Sequence, residues 1–136
     1  MNLATHMPSE MRLYDEQKRR LYINSVERER FLLSARRELL PVHSFCLTLL
    51  YTGCRLSEAL ELTPLSLQLS AHLITFRTLK KRRSLVMREV PIPPPLAGLL
   101  YEQADALPRT SSLWHHKGRP LNRSTGYRWV KNVMCE

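Results

Sequence analysis

The sequence predicts a mainly α-helical domain carrying a small antiparallel β-hairpin, an α+β fold, and three observations predict it. Apolar residues recur at helical spacing in stretches on both sides of the chain's middle, as in Val42, Phe45, Cys46, Leu49 and Leu50. One central stretch changes to a period of two, with Ile74 and Phe76 alternating with Thr75 and Arg77. Proline and glycine punctuate the pattern where helices begin and end, at Pro41, Gly53, Pro64 and the run "PIPPP". At 136 residues with 43% hydrophobic content, the chain is long enough to close one core and too apolar to be disordered.

The first 23 residues are polar and charged and read as an arm or the remnant of a linker; the domain proper is expected over residues 24–136. "NSVERERFLLSARREL" reads as the first helix, with Asn24 as its cap, Glu27 three residues on, and Phe31, Ala35 and Leu39 on one face. Pro41 suits the first turn of a second helix because its missing N–H has no helical partner there; Gly53 suits the close. "LSEALEL" is a short third helix stopped ahead of Pro64, since the residue before a proline avoids helical geometry. "HLITFRTLKKRRSLVMREVPIP" reads as two strands joined by a long basic tip, with Val86, Arg88 and Val90 at alternate positions of the second. "PPPLAGLLYEQADAL" returns to helix with Leu96, Leu99, Leu100 and Ala104 on one side. "SSLWHHKGRPL" reads as loop, and "NRSTGYRWVKNVM" as a last helix weakened by Gly126, with Trp129 and Val133 a turn apart.

Charge narrows the partners. Lysine and arginine total 21 against 12 acids, a formal charge of +9, which favours polyanions: nucleic acid first, an anionic membrane surface second. No apolar run is long enough to span a bilayer, and "MNLATHMPSE" has no hydrophobic signal region, so the cytoplasm is the expected compartment. Cys46, Cys54 and Cys135 are odd in number and lack metal-type spacing, and the adjacent His115 and His116 have no acid or cysteine beside them. Free thiols in a reducing compartment, with no metal and no cofactor, are expected.

Two stretches carry candidate chemistry. From Arg77 to Arg88 six positive residues (Arg77, Lys80, Lys81, Arg82, Arg83 and Arg88) stand without an acid. As a solvated loop this run would do nothing specific; as a hairpin tip it would enter a groove and neutralise phosphates. In "TGCRLSEAL", Arg55 follows a glycine turn and precedes Glu58 by three residues. The pair is either a helix start with an exposed ion pair of small energetic value, or a carboxylate aligning a guanidinium fork onto a phosphate.

The order and spacing of "LTLLYTGCRLSEALELTPLSL", a lysine-bearing hairpin and "REVPIP" resemble the catalytic domain of the tyrosine recombinases, the phage integrase family. Thr52, Gly53, Arg55 and Glu58 match that family's first box, T-G-x-R-x-x-E; Arg88, Val90 and Pro91 match its closing strand. "SSLWHHKGRPLNRSTGYRWVKNV" looks like the loop and helix that precede the second box. The resemblance covers residues 24–136 and implies a partial tyrosine-recombinase catalytic-domain fold. It implies DNA strand cleavage and rejoining by a tyrosine nucleophile through a 3′-phosphotyrosyl link, without a metal. By the same resemblance Arg55 would grip the scissile phosphate, Glu58 would orient the surroundings, and Lys80, with Lys81 its rival, would protonate the leaving 5′-oxygen. Arg77, Lys81, Arg82, Arg83 and Arg88 would be DNA contacts.

The family's second box, His-x-x-Arg, and its nucleophilic tyrosine are not found before the last residue, Glu136. Tyr14, Tyr22, Tyr51 and Tyr101 fall in the wrong order or on the wrong elements, Tyr127 lies in the helix ahead of the box, and "HHKGR" lies in the loop before it. The expectation is a recombinase-like or integrase-like protein that binds double-stranded DNA but does not cleave it alone. Two other readings remain at this stage. One is a helix-turn-helix regulator built on the Gly53 turn, against which Pro64 cuts the second helix short. The other is an interaction protein whose apolar faces at Leu99 and Trp129 drive self-association or capture of a full-length recombinase.

Overall fold

The computed structural model describes residues 25–79 and 85–135. The expected arm over residues 1–23, the Asn24 cap and the hairpin tip with Lys80, Lys81, Arg82 and Arg83 lie outside the described residues. The architecture is α+β, with five helices, a three-stranded antiparallel sheet and a two-stranded hairpin among the described residues.

Helix α1 (Ser25–Arg36) buries Phe31, Ser34 and Ala35, but its apolar face stops there. Leu39, expected on that face, is 80% exposed and stands in extended geometry before helix α2 (Leu40–Thr52). The reason is Pro41: without an N–H it cannot continue the ladder to the carbonyl of residue 37, so the helix ends and restarts. Pro41 then occupies the first turn of α2, where no N–H is needed. Gly53 closes α2 in left-handed geometry (φ 66°), its N–H donating to the Leu49 carbonyl at 3.0 Å.

Helix α2 is the axis of the core. It buries Phe45, Cys46 and Leu47, and two hydroxyls on the same face are satisfied internally. Thr48 donates to the Ser44 carbonyl at 2.8 Å, and Ser44 donates to the Pro41 carbonyl at 3.2 Å while accepting from the Trp114 indole at 2.9 Å. Phe45 packs edge-to-face with two indoles, Trp114 at 5.0 Å and Trp129 at 5.8 Å between ring centres. Both Cys46 and Cys54 are buried, which pushes their thiols up to about 12 and about 11, while Cys135 is exposed.

Short helix α3 (Leu56–Leu60) leads through a 3-10 turn (Pro64–Ser66) into strand β1 (Leu67–Gln68), which sequence periodicity does not reveal. After a second 3-10 turn come β2 (Leu73–Leu79) and β3 (Leu85–Pro91), and the sheet order is β1-β2-β3. The register pairs Ile74 with Val90, Phe76 with Arg88 and Arg77 with Met87. Ile74 and Phe76 are fully buried on the inner face, as the alternation predicts.

Helix α4 (Pro94–Ala104) buries Leu96, Ala97 and Leu100. The segment read as loop is only partly so. It contains a small hairpin of β4 (His115–His116) and β5 (Arg119–Pro120), turned by Lys117 (φ 52°) and Gly118 (φ 78°). Two-residue strands have no period to detect, so only the Lys117-Gly118 turn marked them in advance. Leu113 and Trp114 enter the core here, and the Leu113 N–H donates to the Leu62 carbonyl at 3.0 Å.

Helix α5 (Arg123–Met134) begins at Asn122, whose side chain accepts from the Thr125 N–H at 2.8 Å. Gly126, which weakens this helix locally, has a packing reason: a Cβ there would lie 3.2 Å from Phe45 Cζ and 3.5 Å from Leu56 Cδ1. Gly126→Ala is expected to be close to neutral, helix propensity offsetting a tight contact, whereas Gly126→Val should cost about 1–3 kcal/mol. Urea unfolding of the two variants checks this; equal stabilities would show that α5 does not approach Phe45 so closely.

Candidate nucleic-acid interface

Arg55 sits at the N-terminal boundary of α3, two residues beyond the Gly53 turn, in extended geometry (φ −76°, ψ 154°) with its residue exposed. The turn is fixed from both sides. Thr52 donates to the Thr48 carbonyl at 2.6 Å and accepts from the Cys54 N–H at 3.2 Å. On the other side Glu58, at the third position of α3, accepts the Arg55 N–H at 2.8 Å. This is half of a capping box: a carboxylate taking a main-chain donor at the start of a helix.

The Glu58 carboxylate has a second task. Its side chain is only 9% exposed, and it meets the Arg88 guanidinium on β3, Nη1 to Oε2 at 3.4 Å and Nη2 to Oε1 at 3.5 Å. Arg88 in turn lies over the ring of its cross-strand partner Phe76, 5.1 Å from the centroid. The first box and the closing strand of the sequence motif, 30 residues apart, are thus joined in space through one carboxylate. Both of these charges act on the neighbouring Cys54 thiol. Burial chiefly holds its pKa up; the Thr52 hydrogen bond lowers it, Glu58 raises it and Arg88 lowers it.

The structure separates some residues that the sequence reading grouped. Arg77 pairs with Met87, one position away from the Phe76–Arg88 pair, and so belongs to the opposite face of the sheet. There it lines an open groove of about 580 Å³ with Leu65, Gln68, Thr75 and Met87. Lys80, Lys81, Arg82 and Arg83 fall outside the described residues, so of the basic hairpin only Arg77 and Arg88 are placed.

A second group of basic residues is less conspicuous in the sequence. From Ala106 to Cys135 the sequence contains no acid but holds Arg109, Lys117, Arg119, Arg123, Arg128 and Lys131. All six are exposed, and Arg123 and Lys131 flank the exposed Tyr127 at four-residue intervals along α5. The packing of Gly126 near Leu56 carries this helix to the side of α3. The available signal was the acid-free run itself, which is less conspicuous than "KKRR" because its cations are spread over thirty residues.

Solved structures share this fold. A crystal structure of XerA recombinase matches 95% of this chain at 19% identity with a TM-score of 0.71, and the integrase from mycobacterium phage Brujita matches 87% at 20% identity with a TM-score of 0.63. This chain spans 44% and 39% of those two chains, less than half of each. No family model and no curated protein sequence matches it. The fold is therefore that of recombinase and integrase structures, as the first-box resemblance implies.

Proposed function

We propose that this chain contacts double-stranded DNA as the first part of a tyrosine-recombinase-type catalytic domain, taking part in site-specific recombination or integration. The observation that carries the reading is the exposed Arg55, held at a rigid turn by Glu58 and tied through Arg88 to the base of the basic hairpin. An arginine so placed offers its fork to a phosphate, and the hairpin, led by Lys80 or Lys81, supplies further cations to the same backbone. Lys117, Arg119, Arg123, Arg128 and Lys131 are exposed cations that add to the positive charge available to a polyanion. The reading proposed for this chain is DNA binding without covalent attachment.

The helix-turn-helix reading is disfavoured by α3, whose five residues are too short to lie along a groove. The self-association reading relied on free apolar faces at Leu99 and Trp129. Both residues are half-buried and packed against the core, so neither face is free in the way that reading needs.

Fluorescence anisotropy with a labelled duplex tests the proposal. Affinity should fall steeply and log-linearly with salt, and Lys80→Ala should make that dependence shallower by about one counterion. Absence of binding at low salt would remove the DNA reading altogether. Incubation with a nicked suicide duplex should leave no adduct that survives denaturant; a surviving adduct would overturn the non-covalent part alone.

A further inference from the structure

We propose that Arg88 is a positioning residue and not a phosphate ligand: it holds the Glu58 carboxylate, and through it the Arg55 turn, against the base of the basic hairpin. The inference rests on the DNA-binding reading above and gives one of its basic residues a different task.

Three observations carry it. The Glu58 side chain is nearly withdrawn from water, and a carboxylate in that position is stable as an anion only beside compensating charge and donors. Arg88 supplies that charge with both terminal nitrogens facing both carboxylate oxygens, and its guanidinium carbon lies 5.1 Å from the centre of the Phe76 ring. Oε1 of the same carboxylate receives the Arg55 N–H. A displacement of Glu58 therefore displaces the main chain of the residue proposed to grip DNA. A phosphate recruiting Arg88 would have to draw it away from a carboxylate with little access to solvent.

The arrangement also defines a geometry for binding. Strand β3 carries the hairpin and α3 begins with Arg55, and the Glu58–Arg88 bridge is a side-chain link between the two. Holding it closed sets the spacing between strand β3 and Arg55.

Arg88→Gln, Glu58→Gln, the double variant and Arg88→Lys test the proposal with two readouts. The first needs no DNA: hydrogen exchange at the Arg55 amide, followed by NMR. Arg88→Gln should accelerate that exchange, and Arg88→Lys should do so partly, because lysine keeps the charge but has no fork. If Arg88→Gln does not fold, Arg88→Lys reports on the same amide. The second readout is duplex affinity. The double variant should bind about three-fold or more tighter than Arg88→Gln, since neutralising Glu58 removes the negative charge that Arg88 had compensated. Exchange at Arg55 left unchanged by both Arg88 variants would overturn the proposal. So would an Arg88→Gln defect that Glu58→Gln does not relieve and that is matched by a salt dependence shallower by one contact. A wild-type chain that binds no DNA would sink the functional reading, while the amide exchange would still decide the role of Arg88.

Discussion

Phe45→Ala is expected to destabilise the domain by about 3–5 kcal/mol, the range for emptying a buried aromatic site. Phe45 has no exposed surface and is the point at which three segments meet. Its ring packs edge-to-face with Trp114 and with Trp129 of α5, it belongs to α2, and α5 approaches it at Gly126. The two indoles are too large and too constrained to collapse into the space, Trp114 being held by its bond to Ser44. Because a domain of this size has about 5–15 kcal/mol in total, the variant should lose a large share of its stability. Urea denaturation followed by circular dichroism measures it. A loss below about 1 kcal/mol would place the aromatic cluster outside the cooperative core.

The second large effect concerns binding without stability. Arg55→Ala should weaken duplex affinity by about ten-fold or more, the scale of one charge-assisted bidentate contact, and should flatten the salt dependence. Its folding stability should stay within about 0.5 kcal/mol of wild type, because the Arg55 residue is exposed and the Glu58 bond is to its main chain. Arg55→Lys should fall between the two, keeping the charge and losing the fork. Anisotropy titrations at several salt concentrations, set beside unfolding curves, separate these outcomes. Unchanged affinity at every salt concentration would remove Arg55 from the interface.

Much of this was legible before the fold was seen, for identifiable reasons. Helix α2 announced itself because Pro41 and Gly53 mark its two ends by backbone chemistry alone; of the stripe from Val42 to Leu50, Phe45 and Cys46 are fully buried, and Ser44, Leu47 and Thr48 outside it are buried as well. The inner face of the sheet was legible because a period of two needs only Ile74 and Phe76 to declare it. Leu39 misled because it continues a helical period that Pro41 had already ended, so the periodicity counted a residue the backbone could not include. Strands β1, β4 and β5 are two residues each and carry no period. The partner of Glu58 was hidden for a different reason. Proximity in sequence suggested Arg55, but the Arg88 guanidinium reaches Glu58 through the register of β2 with β3, which no local pattern records. Gly126 looked like a flaw in a helix and is a point of contact, a distinction visible only when the neighbouring helix is in place.

The bond between the Trp114 indole and Ser44 spans 70 positions of the chain. It has a consequence for the order of events in folding. Closing so long a loop costs chain entropy that only the finished core offsets, so the face of α2 bearing Phe45 has no aromatic wall until residue 114 has joined it. During synthesis the earlier helices would leave the ribosome with that face uncovered, and the cooperative transition would wait for the segment that brings Trp114 and then Trp129. Folding of this domain is therefore expected to wait on its two tryptophans, the later parts of its core to be synthesised.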